Sequence, residues 1–428
     1  MPAPDDARSS LVKPPDERPL RIALTCYPTM GGSGVIATEL GLALAERGHQ
    51  VHMVCADVPE RLRAHVNEKK ESQHPGLLFH QVPVEEYLLP NMGSYPLALA
   101  VCLAQITREQ GLDIWHLHYG VPHAVSAFLG QALLAQPTAL ATPVGPPFPS
   151  PTRPLARSVV TLHGTDVTGV GQSPSLREIH RFSLMACDAL TVPSQFLRHA
   201  AYDLLQLPRE LPISVIPNFV NTKVFAPAGP RSGSNADARP FTLCHASNFR
   251  PLKRIEDVIA IFAAVKRQTA RSVRLLLIGE GPERPRMEAL VTSLGLSGDV
   301  QFRGAQPTLT ASLHESDVFL LPSQSESFGL AALEALSCGV PVVASRVGGL
   351  PEVIAEGPEE TGFLFPVGDV AGMAGGILVL IADPQRHAHM AQRAREAVLA
   401  RFQQSQRIAD YEALYRRILA TSRDLSAA

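Results

Sequence analysis

The sequence has little charge, few cysteines and no long hydrophobic run. Only 18% of its 428 residues are Asp, Glu, Lys or Arg, and the formal net charge is −2. This near balance disfavours a nucleic-acid-binding or polybasic membrane surface, and no apolar stretch is long enough to cross a bilayer. With 45% apolar residues, the composition predicts a soluble globular enzyme, and the length predicts two domains.

The cysteines are too few and too scattered for a disulfide framework. None has a partner at metal-ligand spacing, and most lie within apolar strands or helices, so we expect buried free thiols. They are Cys26, Cys55, Cys102, Cys187, Cys244 and Cys338. The polar, Pro-rich residues 1–19 contain no apolar signal-peptide segment, and we expect a flexible leader on a cytoplasmic protein.

Alternating strand and helix patterns follow in two runs, residues 20–217 and 241–404, separated by a Pro-, Gly- and Ser-rich linker at 218–240. Two such runs predict an α/β protein with two doubly wound parallel-sheet domains. A final amphipathic helix, 405–421, closes the chain. Residues 136–154 are rich in Pro, Ala and Thr, and we expect an irregular surface insertion without catalytic content.

The most informative stretch is 325–334, SESFGLAALE. A buried strand is predicted before it, at 316–322, and a helix from Leu330 to Cys338. The stretch is therefore a loop that opens onto a helix N-terminus, where free backbone N–H groups and the helix dipole favour an anion. Glu326 lies just outside the helix and Glu334 about one turn inside it, so the two carboxylates can meet different parts of one ligand.

Other loops at the ends of predicted strands carry similar chemistry. A Gly-rich loop ends at Gly34 and opens onto a helix, without the spacing of the dinucleotide motif. Residues 163–166, HGTD, and residues 247–254, SNFRPLKR, each follow a strand. Because parallel strands end at one edge of a sheet, these loops predict a phosphorylated ligand in a cleft. No Walker loop and no G-x-S-x-G motif occurs, which argues against an NTPase and an α/β-hydrolase.

Three histidines raise the question of a metal site. His116 and His118 share one face of a predicted strand, and His123 lies in the next turn. No cysteine or carboxylate accompanies them at metal-ligand spacing. We therefore expect no metal there.

These residues resemble a known family. The pattern Glu326-x-Phe328-Gly329-x-x-x-x-Glu334, followed by 339–345 (GVPVVAS) and 348–352 (GGLPE), is similar to that of the retaining family-4 glycosyltransferases. The similarity extends from Arg21 to about Tyr415. It implies the GT-B fold, in which two Rossmann-like domains face a central cleft, and it implies that the final helix packs back on the first domain.

Four further motifs resemble one branch of that family. They are residues 31–40, 116–124, 163–167 and 247–254. Members of the branch transfer N-acetylglucosamine from UDP-N-acetylglucosamine to L-malate, the first step of bacillithiol synthesis. The resemblance thus implies a UDP-sugar-dependent hexosyltransferase acting on two small molecules.

The resemblance also implies roles on the donor side. Glu334 would bind the uridine ribose and Glu326 the donor sugar, while His163 would lie near the reacting carbon. Arg250 and Lys253 would stabilise the diphosphate, with Arg250 supplying the charge of the Arg that the wider family often has at the position of Asn248. No Asp-x-Asp metal ligands are visible, so we expect a metal-independent mechanism without a cofactor. The implied catalytic residues are Glu326, His163, Arg250 and Lys253, and the other donor-binding positions are Gly32, Asn248, Phe328, Gly329, Leu330 and Glu334.

The acceptor should lie against the first domain. The two carboxylates of L-malate need N–H, hydroxyl and cationic partners. Candidates are Ser33, Tyr95, Thr165, Arg177 and Arg181; the alternative is that these side chains only pack or cap helices.

Alternatives remain open on sequence alone. The acceptor could be an inositol phosphate or a lipid, although a lipid acceptor would predict a basic amphipathic helix early in the chain, and 35–47 is not basic. A UDP-N-acetylglucosamine epimerase shares the two-domain architecture, and a non-catalytic sugar-nucleotide sensor is a third class. The oligomeric state is open, and a homo-oligomer is one alternative. We expect no stable membrane insertion and no nucleic-acid partner.

Overall fold

Two parallel sheets organise the molecule. The computed structural model describes residues 18–28, 32–67, 69–84, 94–135, 155–229 and 239–421. The predicted leader (apart from its last two residues), the insertion at 136–154 and residues 230–238 of the predicted linker lie outside this description.

The first sheet contains seven strands in the order β3-β2-β1-β4-β5-β6-β7, all parallel. Its strands are β1 Arg21–Thr25, β2 Gln50–Cys55, β3 Leu77–Gln81, β4 Ile114–His118, β5 Arg157–Thr161, β6 Ala189–Val192 and β7 Ile213–Val215. The helices between them are α1 Ser33–Glu46, α2 Tyr95–Gln110, α3 Gly120–Ala135, α4 Thr165–Thr168, α5 Pro174–Met185 and α6 Gln195–Leu204.

The second sheet contains six parallel strands in the order β10-β9-β8-β11-β12-β13. They are β8 Phe241–Ala246, β9 Val273–Ile278, β10 Val300–Phe302, β11 Val318–Leu321, β12 Val342–Ser345 and β13 Gly362–Phe365. The remaining helices are α7 Ile255–Gln268, α8 Arg284–Ser293, α9 Thr310–His314, α10 Leu330–Ser337, α11 Leu350–Val353, α12 Val370–Ala382, α13 Pro384–Arg401 and α14 Gln404–Ala420. Two doubly wound parallel α/β sheets were predicted, and this prediction is confirmed.

Each sheet is covered on both faces, as its nearly continuous apolar strands require. One face of the first sheet packs against α1 and α14, with Leu40 and Leu44 beside Tyr411 and Tyr415 in one buried cluster. The C-terminal helix therefore lies in the core of the first domain. The second sheet packs against α10 and α13 on one face and against α7 and α12 on the other.

The first part of the predicted linker is packed rather than exposed. Phe225 is buried in the core of the second domain, and Arg395 of α13 donates hydrogen bonds to the carbonyls of Thr222 and Phe225 at 2.9 and 2.8 Å. Val220 pairs with Gln403 in an isolated parallel bridge. The chain passes between the domains twice, once near Val220 and once near Gln403, and these two crossings lie side by side.

All six cysteines are free thiols. Four are buried, whereas Cys102 and Cys187 are half-buried. Among the described residues, no helix combines the length and apolarity that a bilayer crossing requires.

Candidate active site

The loop between β11 and α10 presents an open helix N-terminus. Gly329 is the N-cap residue, with a φ of 94°, and no side chain caps the helix. Phe328 is buried beside it. The first-turn N–H groups of an α-helix have no partner within the helix, so those that follow Gly329 can bind an anion.

Glu326 is held at this loop by two side chains. Its Oε1 lies 2.5 Å from the ammonium of Lys253 and accepts a hydrogen bond of 2.9 Å from the hydroxyl of Ser323. Both charged side chains are largely buried, at 17% and 11% exposure for Lys253 and Glu326. The carboxylate expected on the sugar and a cation expected on the diphosphate therefore form one unit.

Two glycines fix the backbone of Glu326. The N–H of Gly349 donates to the Glu326 carbonyl at 3.1 Å. A Cβ at Gly348, whose φ is +57°, would lie only 1.6 Å from that carbonyl oxygen. Only glycine fits this approach and this φ without strain, so the two glycines of the 348–352 motif support the Glu326 loop.

The basic loop after β8 supplies two of its three cations to the site. Arg250 and Asn248 are exposed. Arg254 instead pairs with Asp257 in the first turn of α7 at 2.7 Å. The charge of Arg254 is therefore compensated locally, by a carboxylate of α7.

His245 lies beneath this loop. Its Nδ1 donates to the carbonyl of Leu320 at 2.9 Å, so its Nε2 accepts from the hydroxyl of Ser247 at 2.8 Å. Burial, with a smaller contribution from the charge of Lys253, lowers the pKa of His245 to about 4, although the hydrogen bond to Leu320 opposes the shift. The ring is neutral at pH 7, and Lys253 therefore faces no competing positive charge from it.

Glu334 is paired with a residue of the first domain. The guanidinium of Arg61, in a 3-10 helix at Glu60–His65, lies 2.7 Å from Glu334 Oε1 and 3.1 Å from Glu39 Oε1. Glu334 is 4% exposed. Burial raises the pKa of its carboxyl, Arg61 opposes the rise, and Glu39 adds to it.

The HGTD loop is organised by its aspartate. The buried carboxylate of Asp166 accepts N–H groups from His163, Gly164 and Gly120 at 2.7–3.1 Å. His163 Nε2 lies 3.0 Å from Nδ1 of His118. Burial lowers the pKa of His163 to about 3, so this imidazole is neutral at pH 7 and serves as a hydrogen-bonding group rather than a cation.

The two domains meet at these loops. A Cβ at Gly164 would lie 2.8 Å from that of Ser327, and the hydroxyl of Ser194 donates to the carbonyl of Ser327 at 2.8 Å. Burial raises the pKa of Tyr119, while its hydrogen bond with Thr165 and the charge of Arg250 oppose the rise. The charge of Arg250, from the second domain, therefore acts on Tyr119 of the first.

The acceptor candidates fall into two groups. Thr165 is exposed beside His163 and bonds the hydroxyl of Tyr119 at 2.7 Å, and Tyr95 bonds Nε2 of His123 at 3.1 Å. Ser33 is buried at the start of α1, next to the exposed Gly32. Each of these three candidates is the first residue of a helix of the first domain.

The two arginines of α5 form the second group. Arg177 donates to the carbonyl of Gly171 at 3.3 Å. Among the described residues, the Nε atoms of Arg177 and Arg181 are buried without a hydrogen-bond partner. Neither guanidinium bonds another acceptor candidate in that part of the chain.

The histidines predicted not to hold a metal have other partners. His116 Nδ1 lies 2.7 Å from the hydroxyl of Tyr415, and its Nε2 lies 2.7 Å from that of Thr161. His123 Nδ1 donates to the carbonyl of His118 at 2.8 Å. Within the described ranges, no group of three or more His, Cys, Asp and Glu side chains is arranged to hold a metal ion.

Two family models match most of the chain. Residues 30–224 match Glycosyltransferase Family 4, and residues 231–397 match Glycosyl transferases group 1. N-acetyl-alpha-D-glucosaminyl L-malate synthase of Bacillus anthracis is 36% identical over 403 residues, covering 94% of this chain and 97% of that protein. The chain belongs to glycosyltransferase family 4. It is a UDP-sugar-dependent hexosyltransferase, as the resemblance implied.

Other relatives and solved structures place this family-4 glycosyltransferase in the GT-B fold. D-inositol 3-phosphate glycosyltransferase of Saccharomonospora viridis is 26% identical, covering 86% of this chain and 84% of its own. Sucrose-phosphate synthase of Thermosynechococcus elongatus superposes with a TM-score of 0.72 at 25% identity, covering 94% and 100% of the two chains. Anabaena HepE, solved with UDP-glucose, has a TM-score of 0.69 at 19% identity, covering 94% and 99%.

Sequence reasoning missed three residues of this glycosyltransferase that contact the predicted site. Ser323 ends the β11 region and could have been noticed from its position three residues before Glu326. Glu39 lies within the 31–40 motif but had been assigned no role, whereas Arg61 belongs to no recognised pattern and lies 273 positions from Glu334. No local signal in the sequence points to such a contact.

Proposed function

We propose that this glycosyltransferase transfers N-acetylglucosamine from UDP-N-acetylglucosamine to the hydroxyl of L-malate, with retention at the anomeric carbon. The observation that carries the proposal is the 36% identity to an N-acetyl-alpha-D-glucosaminyl L-malate synthase along 97% of that relative. The inositol-phosphate transferases align over similar lengths at 26–28% identity. A closer relation over the whole chain favours the malate acceptor and the glucosamine-type donor.

The donor side fits the departure of a diphosphate. Cleavage of the sugar–diphosphate bond builds negative charge on the leaving oxygen. Arg250, Lys253 and the N–H groups from Phe328 to Leu330 form a positive end of the site, and each preorganised donor of this kind typically contributes about 3 kcal/mol to transition-state stabilisation. These groups can take the role of a divalent cation, so we propose that transfer is metal-independent.

The reaction exchanges one bond for another at the anomeric carbon. The bond from that carbon to the β-phosphate oxygen breaks, and its electron pair leaves with UDP. The malate hydroxyl oxygen forms the new bond on the same face of the sugar, and its proton passes to the departing phosphate oxygen. His163, neutral at pH 7, would orient the sugar without adding charge, and Glu326 would bind a sugar hydroxyl.

The acceptor side would combine the first domain with Arg250. The hydroxyls of Thr165 and Tyr119 bond each other, and the charge of Arg250 acts on Tyr119. Together they would offer hydroxyl and guanidinium partners to a carboxylate. Tyr95 and the start of α1 at Ser33 would complete the pocket. Arg177 and Arg181 are further cationic candidates on α5.

The test is UDP release from UDP-N-acetylglucosamine with L-malate, with D-inositol 3-phosphate, and with no acceptor. We expect release that depends on malate, an α-linked glycoside as product, and no loss of rate in EDTA. If UDP is released with D-inositol 3-phosphate but not with L-malate, the acceptor is an inositol phosphate and the malate assignment is wrong. If the enzyme forms an epimer of the UDP-N-acetyl sugar without any acceptor, it is an epimerase and not a transferase. A glycosyl ester on a carboxylate of the enzyme would exclude direct attack by malate on the same face of the sugar.

A further inference from the structure

The buried carboxylate of Glu334 is supported from the opposite domain. Glu334 belongs to α10 of the second domain, whereas Arg61 follows β2 of the first. The guanidinium uses Nη2 for Glu334 Oε1 at 2.7 Å and Nη1 for Glu39 Oε1 at 3.1 Å. The side chain of Arg61 is 19% exposed, that of Glu334 is 6% exposed and that of Glu39 is 20% exposed. The three charged groups are therefore largely buried, unlike those of a surface ion pair.

Arg61 is itself held in place by its surroundings. Its guanidinium carbon lies 5.6 Å from the ring centroid of Phe225, a buried residue of the crossing between the domains. Glu39 in turn faces the amide of Gln404 at 3.4 Å, where the chain crosses back toward the first domain. The cation is therefore in contact with Glu39 of α1, Phe225 and Glu334, and Gln404 holds Glu39 in turn.

The pairing leaves part of the Glu334 carboxylate for a ligand. Within the described residues, Oε2 of Glu334 has no hydrogen-bond partner. An ionised carboxylate oxygen accepts two hydrogen bonds, and such charge-assisted bonds are about twice as strong as neutral ones. A carboxyl this deeply buried without a cation would take up a proton and lose that advantage.

We propose that Arg61 is a positioning residue for the nucleotide, which keeps the Glu334 carboxylate charged and oriented so that Oε2 receives the ribose hydroxyls. Both domains then contribute to the ribose site. Glu334 of the second domain would bind the ribose directly, and Arg61 of the first domain would act only through Glu334. This inference rests on the proposed function, because it takes Glu334 as the partner of the ribose. It extends that function by adding a residue of the acceptor domain to donor recognition.

The contact between Arg61 and Glu334 can be interpreted in two opposite ways, and an experiment distinguishes them. If Arg61 supports Glu334, removal of the guanidinium weakens the binding of nucleotides that carry a 2′-hydroxyl. If Arg61 instead occupies the place of the ribose, its removal tightens their binding. A general loss of positive charge near the diphosphate would weaken UDP and 2′-deoxy-UDP by the same factor.

The test is calorimetric titration of UDP and 2′-deoxy-UDP into the wild-type chain and into Arg61→Met, without donor sugar or acceptor. We expect the wild type to bind UDP more tightly than 2′-deoxy-UDP. Arg61→Met should weaken the binding of UDP about tenfold and the binding of 2′-deoxy-UDP clearly less. The ratio of the dissociation constant of 2′-deoxy-UDP to that of UDP should therefore fall. Arg61→Lys, which keeps a cation, should recover part of the ratio and guards against a variant that fails to fold.

The matched control is Arg63→Met in the same 3-10 helix. Arg63 is 61% exposed and pairs only with the nearby Glu60 among the described residues, so both nucleotides should bind Arg63→Met as they bind the wild type. An unchanged ratio in Arg61→Met, or tighter UDP binding, overturns the role of Arg61 while UDP recognition stands. A wild-type chain that binds neither nucleotide overturns the proposed function and the inference with it.

Discussion

The ammonium of Lys253 lies 2.5 Å from Oε1 of Glu326, although the two residues come from loops 73 positions apart. A lysine ammonium has three donors, and this contact uses one. The others remain for a diphosphate, while the second carboxylate oxygen of Glu326 remains for the sugar. The pair thus spans the place where the bond between sugar and diphosphate is expected.

Replacing Lys253 by Met should slow transfer far more than it harms folding. The leaving diphosphate loses a preorganised cation, and loss of one such group typically costs about 10²–10³-fold in kcat. The measurement is steady-state release of UDP with saturating donor and L-malate. Lys266→Met is the control, because Lys266 is 40% exposed and pairs with Asp299 on the outer side of α7. A Lys253→Met rate within threefold of wild type would remove Lys253 from the catalytic set.

Gly348→Ala should displace Glu326. The added methyl would stand 1.6 Å from the Glu326 carbonyl oxygen, so the loop must move and the Lys253 contact must change. Gly357→Ala is a matched control: its φ of +76° imposes similar backbone strain of about 1–2 kcal/mol, but no atom lies within 4 Å of its added Cβ. Both variants should lose some thermal stability, whereas only Gly348→Ala should lose most of its kcat. Equal activities in the two would show that this packing does not hold Glu326.

The sequence predicted the parts of this site that lie close together along the chain. The strand, loop and helix around 325–334 are confirmed by β11 and α10, because apolar runs, a helix-starting glycine and a closing glycine are local signals. It did not predict β3 or α3. Strand β3 has an irregular burial pattern at the sheet edge, and α3 begins with Val121 in an extended conformation before Pro122, which hides the helix start.

Contacts between the domains were beyond sequence reasoning for a different reason. Arg61, Gly164 and Glu352 reach partners that are separated from them by more than 150 residues. Their positions depend on how two finished domains pack. Periodicity and spacing describe each element alone, so no pattern along the chain encodes such a meeting.

Glu352→Ala should loosen the contact between the domains. The Glu352 carboxylate accepts the N–H groups of Gln195 and Phe196 at 2.8 Å each, and it thereby caps α6 of the opposite domain. Loss of a helix cap costs about 0.5–2 kcal/mol, so amide hydrogen exchange at Gln195 and Phe196 should accelerate, and KM for the donor should rise. Glu356→Ala is the control, since Glu356 pairs with Arg346 of its own domain. Unaltered exchange at both amides would mean that the cap does not contribute to closure.

Acidification should destabilise the folded protein at pH values well above the pKa of its buried histidines. Burial lowers the pKa of His116 and His163 to about 3 and that of His123 and His180 to about 4. Below pH 6.5 the unfolded chain takes up protons at these rings and the folded chain does not, so stability is lost as the pH falls. Each ring contributes about 2 kcal/mol of this loss between pH 7 and pH 5. The measurement is the free energy of unfolding in urea across that range, for the wild type and for His180→Leu.

His180 isolates the effect because its ring has no hydrogen-bond partner among the described residues and is fully buried against Gly120. A leucine there removes a titrating group without removing a hydrogen bond. His180→Leu should therefore take up about one proton fewer on unfolding near pH 5, which flattens the dependence of stability on pH by the same amount. The exposed His199 of α6 gives the matched control for removing an imidazole. If His180→Leu keeps the wild-type slope, His180 is protonated in the folded chain, and the buried-histidine account of acid unfolding is wrong.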